Sequence, residues 1–147
     1  MKRVVITINR QYGSGGKTIG YMLAEKLGIP CYSREILQRA SEESGINESM
    51  FNARDERLKR LPKFLLSTNV YSGELLPPES KEFTSDQNLF NYEAEIIKKY
   101  AAEGSCVLIG RCADFVLKDD PDMISVYVHA DHDFQMKSAL ERVSMSE

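Results

Sequence analysis

A glycine-rich turn between a strand-type run and a helical pattern constrains this chain more than any other feature. The β-branched stretch Val4-Val5-Ile6-Thr7-Ile8 has the composition of a buried strand. It leads through Asn9-Arg10-Gln11-Tyr12 into Gly13-Ser14-Gly15-Gly16-Lys17-Thr18. Beyond that turn, Ile19, Met22, Leu23 and Leu27 recur at helical spacing, which predicts a helix with these side chains on its inward face. Glycines at 13, 15 and 16 let successive backbone N–H groups turn towards one point and let the main chain approach an anion closely. A helix starting just beyond them adds unpaired N–H groups and the positive end of its dipole. This is a phosphate-binding layout. Gly13, Ser14, Gly15 and Gly16 wrap the phosphates, Lys17 adds an ammonium, and the Thr18 hydroxyl is placed to ligate Mg²⁺. Taken by itself, such a turn can also be a tight connection with no ligand. Its position after a buried-type strand and before an amphipathic helix favours the anion site.

The bulk properties fit one folded domain. A length of 147 residues suffices for a hydrophobic core, and 42% hydrophobic with 28% charged residues is the balance of an ordinary globular protein. The formal net charge of −3 supplies no general attraction to nucleic acid or anionic membranes, so phosphate binding has to be local. No apolar run approaches the ~18 residues that span a bilayer, and Met1-Lys2-Arg3 does not lead into a signal-peptide core. Cys31, Cys106 and Cys112 lack metal-ligand spacing, which reads as reduced thiols in a cytoplasmic protein.

Further along, Gly28-Ile29-Pro30 closes the first helix, and Pro30 to Ser33 has room for a short strand. Arg34 to Ser44 reads as a helix with Ile36, Leu37 and Ala40 inward. Ile46 to Lys59 reads as a charged helix, capped at Asn47 and anchored by Met50-Phe51. The mixed run from Arg54 to Lys63 is either a solvated helix face or a basic flank over substrate phosphates. From Phe64 to Gln87, Gly73, Pro77-Pro78 and many polar residues predict a long irregular connection. Phe90, Ala94, Ile97 and Ala101 mark a helix ending at Gly104, and Cys106 to Ile109 a strand buried on both faces of a parallel sheet. Gly110-Arg111 stands at that strand's carboxyl end, where open α/β sheets place ligands. Cys112 reads as a buried small residue, since no partner histidine is evident. Ile124 to Val128 is a fourth strand. Asp131 is placed to cap a last helix with Met136, Ala139, Leu140 and Val143 inward, and His129 and His132 lack the further ligands of a metal site.

Read together, the segments 6–27, 27–39 and 107–130 resemble the cytidylate kinase-like family of P-loop nucleoside monophosphate kinases. The most specific match is the run from Asn9 to Gly16. Set against the cytidylate kinases' loop, G-x-x-G-x-G-K-G-T, Gly16 falls at the lysine, Lys17 at the next glycine and Thr18 at the threonine, while Arg10 replaces the first glycine. The resemblance implies an α/β fold of P-loop NTPase type, a parallel sheet flanked by helices in three layers. It implies a single kinase-like domain over 1–147, with a substrate-binding or irregular insertion around 46–88. Arg39 and Arg111 fall where these kinases contact the acceptor phosphate, and Arg111 joins Lys17 as a catalytic charge clamp. Where the kinases carry Gly-Arg-Asp, this chain has Gly110-Arg111-Cys112, so Asp114 either takes an acidic role towards the acceptor or caps a turn. Ser33 stands where they carry an aspartate. Beyond the last helix no lid or strand pattern follows, which predicts four parallel strands with the last strand and lid missing and Arg142 as the remaining lid-side arginine.

The function so implied is transfer of the γ-phosphoryl of ATP, with Mg²⁺, to a nucleoside monophosphate, CMP or dCMP first. The partners implied are nucleotide substrates, with neither nucleic acid nor membrane. Two alternatives stay open: a kinase of another small molecule, and a nucleotide- or anion-binding module that has lost transfer.

Overall fold

Residues 2–60 and 73–145 are described by the structure, a computed structural model. The β-branched run becomes strand β1 (Val5–Arg10), and Val5 to Ile8 are all buried. Helix α1 (Gly16–Leu27) and strand β2 (Cys31–Tyr32) follow, then helices α2 (Arg34–Ser44), α3 (Glu48–Arg60) and α4 (Asp86–Glu103). Strand β3 (Cys106–Ile109), the short helix α5 (Ala113–Val116), strand β4 (Met123–Val128) and helix α6 (His132–Met145) complete the order. The four strands form one parallel sheet in the order β2-β3-β1-β4. Strand β1 is registered against both neighbours, Ile8 facing Ile109 on one side and Val126 on the other. This is the α/β architecture expected. Among the described residues no helix is long and apolar enough to cross a membrane.

The strand order has a consequence for function. From β1 the chain crosses over β3 to reach β2, whereas from β3 it crosses over β1 to reach β4. Adjacent strands whose connections leave in opposite directions open a crevice at their carboxyl ends, where ligands settle in such sheets. The loop 11–15 leaves β1 at that crevice, and Gly110-Arg111 leaves β3 there.

The chain divides into two compact units, 1–33 with 100–147, and 34–99. In the first, Ile6, Ile8, Val107 and Ile109 pack with Ala24 into a core, bordered by Leu23, Ile29, Val126 and Val128. Helix α1 meets the sheet differently from expectation. Its buried residues are Gly16, Gly20 and Ala24, while Ile19, Met22 and Leu27 are exposed. The reason is steric. A Cβ on Gly20 would lie 2.8 Å from Ile109 Cδ1 and 3.1 Å from Ile8 Cδ1, so only a stripe of small residues admits the helix this close. At the helix end, Ile29 N–H donates to Ala24 O at 3.0 Å around Gly28, whose φ is 65°. That left-handed closure is the expected glycine stop.

The last helix also departs from expectation. Asp131 caps it, its Oδ1 accepting from Phe134 N–H at 2.8 Å. Yet α6 buries no residue, and Met136, Leu140 and Val143 are exposed, as are Ile124 and Tyr127 on the edge strand β4. Its first turns are tied by polar contacts, Gln135 Nε2 donating to Gln11 Oε1 and to Ala130 O, while its large apolar side chains stay exposed.

In the unit 34–99, Ile36, Leu37 and Ala40 are buried on α2 as predicted. Asn47 Oδ1 accepts from Ser49 N–H at 2.9 Å, and Phe51 is fully buried, so the expected cap and anchor of α3 both form. The charged run divides: Glu56 and Arg57 are exposed, as on a solvated helix face, whereas Arg54 turns inward. Arg54 is buried, pairs with Glu93 at 3.4 Å and lies 5.2 Å over the Phe90 ring; Arg57 pairs with Asp86. Lys63 and 64–72 of the expected irregular stretch lie outside the described residues, while 73–85 is irregular as expected, up to the start of α4 at Asp86.

At the amino-terminal edge of the sheet Arg3 ties three segments together. It donates to both Asp120 oxygens at 3.1 and 2.6 Å, to Asp122 at 3.2 Å and to Ala101 O at 2.9 Å. The hydrogen bonds from Arg3 hold the Asp120 carboxyl below its usual value. A group with a lowered native pKa stabilises fully above its unfolded value, about 3.9, and loses that contribution as pH falls through the native one. We therefore expect Asp120→Ala to cost roughly 1–2 kcal/mol at pH 7, the lower range for a charged hydrogen bond because Arg3 stays partly exposed. Urea midpoints at pH 7 and pH 3 check this; the gap from the parent protein should shrink at pH 3.

Candidate functional site

The loop 11–15 is held from both sides. Gln11 N–H donates to Val128 O at 3.0 Å, and its side-chain oxygen accepts from Gln135 Nε2 at 3.0 Å. Ser14 N–H and hydroxyl both donate to Gln11 O, at 3.2 and 2.7 Å, which closes a tight turn. Gly13 and Gly15 take the left-handed conformation, with φ 77° and 81°. The first bond into α1 runs from Ile19 N–H to Gly15 O at 3.0 Å. The amides of Gly16, Lys17 and Thr18 therefore have no helical carbonyl to donate to, and no side chain caps this end. Three orphan donors at a positive helix end, reached through left-handed glycines, fit a phosphate. The Thr18 side chain is exposed at the same end, and a Mg²⁺ held mainly by phosphate oxygens needs only such a hydroxyl from the protein.

The loop after β3 is unusual in its backbone. Gly110, Arg111 and Cys112 have φ of 70°, 59° and 56°, three left-handed residues in succession. For arginine and cysteine that conformation costs about 1–2 kcal/mol each. Such outliers cluster at ligand clamps, where the strain positions a side chain. Cys112 is exposed here, not buried as expected, because the left-handed turn faces it outward ahead of α5. The buried thiol is Cys106 on β3, pushed up to about 11 by burial. Iodoacetamide at pH 8 should accordingly label Cys112 and spare Cys106 in the native protein, as peptide mass spectrometry would register.

The expected site residues are distributed unequally. Gly13 to Thr18, Arg111 and Asp114 all belong to the sheet unit, at the loops leaving β1 and β3. Asp114 lies in the first turn of α5 and is half-buried. Lys17 is exposed, its Nζ 5.9 Å from the Tyr21 ring one turn along α1. Arg39 belongs to the other unit, where it pairs with Glu43 at 3.1 Å; Lys99 pairs with the same carboxylate. Those two cations hold the Glu43 carboxyl below its usual value, the Lys99 hydrogen bond contributing most. His132 sits beside Asp133 at 4.0 Å and His129 stacks on Tyr127.

The spacing of the loop marks Arg10 only as a departure from the pattern, but the fold gives it a place at the site. Arg10 ends β1, and its guanidinium lies against Gly110, within the field of Arg111 and Arg142. The signal for it in the sequence was a double replacement, arginine for the first loop glycine and glycine for the loop lysine.

A sequence model of the cytidylate kinase-like family matches residues 5–147. The chain belongs to the cytidylate kinase-like family. Among curated proteins none matches. Among solved structures it is similar to an uncharacterized protein from Eubacterium ventriosum, with 26% identity and a TM-score of 0.62. The similarity covers 97% of this chain and 63% of that one, so the cytidylate kinase-like chain spans under two thirds of its structural relative.

Proposed function

We propose that this chain transfers the γ-phosphoryl group of ATP to a nucleoside monophosphate, with CMP or dCMP the leading acceptor. The observation that carries the reading is the uncapped start of α1, whose three orphan amides meet a glycine-shaped loop at the sheet's switch point. Backbone N–H groups of residues 15–18 would bind the donor phosphates, and Lys17 at the rim would add charge. The Thr18 hydroxyl would hold Mg²⁺, which when bound would supply positive charge to neutralise the phosphates. Arg111, fixed by its left-handed backbone, would meet charge on the transferring or acceptor phosphate. No general base is required, because a monophosphate oxygen is already ionised near neutral pH. Arg39 and Asp114 would serve the acceptor, within a single kinase-like domain that has a substrate-binding or irregular insertion around 46–88.

The test is ATP- and Mg²⁺-dependent diphosphate formation across CMP, dCMP, UMP, AMP and GMP. Turnover of CMP or dCMP above the rest supports the assignment. Turnover of none of them, with ATP still bound, would leave the second reading, a binding module without transfer. That reading is favoured by one observation, the glycine at position 16 where the resemblance expects the loop lysine.

A further inference from the structure

We propose that Arg10 takes the place of the phosphate-binding lysine, its guanidinium crossing the loop to meet the nucleotide's phosphates. This rests on the nucleotide-kinase reading and deepens it. Gly16 occupies the position where the loop lysine is expected. A Cβ there would lie 2.5 Å from Arg10 Cβ and 3.0 Å from Arg10 Cγ, with Val128 Cβ at 3.2 Å behind. No side chain fits at 16 while Arg10 is present. The converse also holds, since the glycine that the loop pattern asks for at position 10 would leave that space open. The two replacements are thus one exchange: the long cation has moved from the start of the helix to the end of β1.

The far end of Arg10 supports the same role. A Cβ on Gly110 would lie 2.6 Å from Arg10 Nη1, so the guanidinium rests against bare backbone between the loop after β1 and the loop after β3. It therefore sits at the mouth of the crevice where the sheet's connections diverge. Among the described residues no carboxylate pairs with Arg10. Burial first, then the like charges of Arg111 and Arg142, pull its pKa below the usual arginine value. Two arginines crowding a partly desolvated third is an unfavourable arrangement that a polyphosphate would reverse. Its planar fork can also hold two phosphate oxygens at once, which an ammonium cannot. Lys17 points elsewhere, along the outer face of α1 towards Tyr21.

The experiment compares ATP·Mg²⁺ and inorganic pyrophosphate binding, by calorimetry, for the parent chain and for Arg10→Ala, Arg10→Lys, Lys17→Ala and the exchange Arg10→Gly with Gly16→Lys. We expect Arg10→Ala to weaken both ligands by about 10- to 100-fold, the scale of a charge-assisted pair. Lys17→Ala should lose less, and the exchange should recover a large part of the loss. Arg10→Lys keeps the stem against Gly16 and should fall between, so a fold defect in the alanine variant does not end the test. Parent-like binding by Arg10→Ala and Arg10→Lys, or a larger loss in Lys17→Ala, would overturn the role of Arg10 and leave the kinase reading standing. A parent chain that binds neither ATP nor pyrophosphate would overturn both.

Discussion

Gly13→Ala is expected to destabilise the protein by roughly 2–5 kcal/mol and to abolish nucleotide binding. Two independent effects add. The residue has φ 77°, a conformation that costs an alanine about 1–2 kcal/mol. Its new methyl would also lie 2.6 Å from the carbonyl oxygen of Gln135 and 3.1 Å from that residue's Cα, both backbone atoms that cannot rotate away. Overpacking of this sort costs about 1–3 kcal/mol more. Gly15 and Gly28 supply the controls. Both have positive φ, 81° and 65°, but an added Cβ would meet nothing within 4 Å. Alanine at either should therefore show the conformational cost alone, about 1–2 kcal/mol. Chemical denaturation of the three variants separates the effects. Equal losses at 13, 15 and 28 would contradict the tight seat of the loop against α6.

Arg111→Ala is expected to reduce turnover by about 10²- to 10³-fold, the usual loss when one charge-stabilising donor is removed from a transition state. Stability should change little, since alanine suffers the same left-handed backbone. Arg111→Gly makes the sharper comparison. It loses the same side chain but relieves a conformational cost of about 1–2 kcal/mol, partly offset by the freer unfolded chain. We expect it to be as inactive as the alanine variant and more stable than the parent. Steady-state kinetics on the preferred monophosphate, paired with thermal melts, gives both readings. A glycine variant that is stabilised and fully active would show that the strained turn serves no clamp.

Much of the architecture was legible locally. A buried strand needs only an apolar β-branched run, and Val5 to Ile8 and Cys106 to Ile109 have one each. Helix ends were legible for the same reason, because Gly28, Asn47 and Asp131 act on backbone groups within a few residues of themselves. The glycine-rich loop belongs to this class too: glycines, a strand before and a helix after are all contiguous.

Which face of a helix is buried was not local. In α1 the large side chains at 19, 22 and 27 announced the inner face, yet Gly16, Gly20 and Ala24 occupy it. Closeness of approach to Ile8 and Ile109 decided that, and no periodicity count contains the distance between a helix and its sheet. In α6 the apolar spacing predicts an inward face, yet Met136, Leu140 and Val143 are exposed, because a stripe is buried only where a neighbour covers it. Arg54 reversed the usual expectation for an arginine because Glu93, 39 residues away, meets it in the interior. Cys112 turned outward because three residues in succession adopted a left-handed backbone.

The sequence by itself determined the anion-binding potential of the amino-terminal loop, since backbone donors, their conformational freedom and the helix dipole follow from residues adjacent in the chain. It also determined the family, whose motifs are contiguous. Only the tertiary structure decided which cation reaches that loop. Arg10, Gly16 and Gly110 are separated by up to 100 residues, and their exchange of space becomes visible once β1 lies between β3 and β4. Steric exclusion between distant segments has no signature in any one of them.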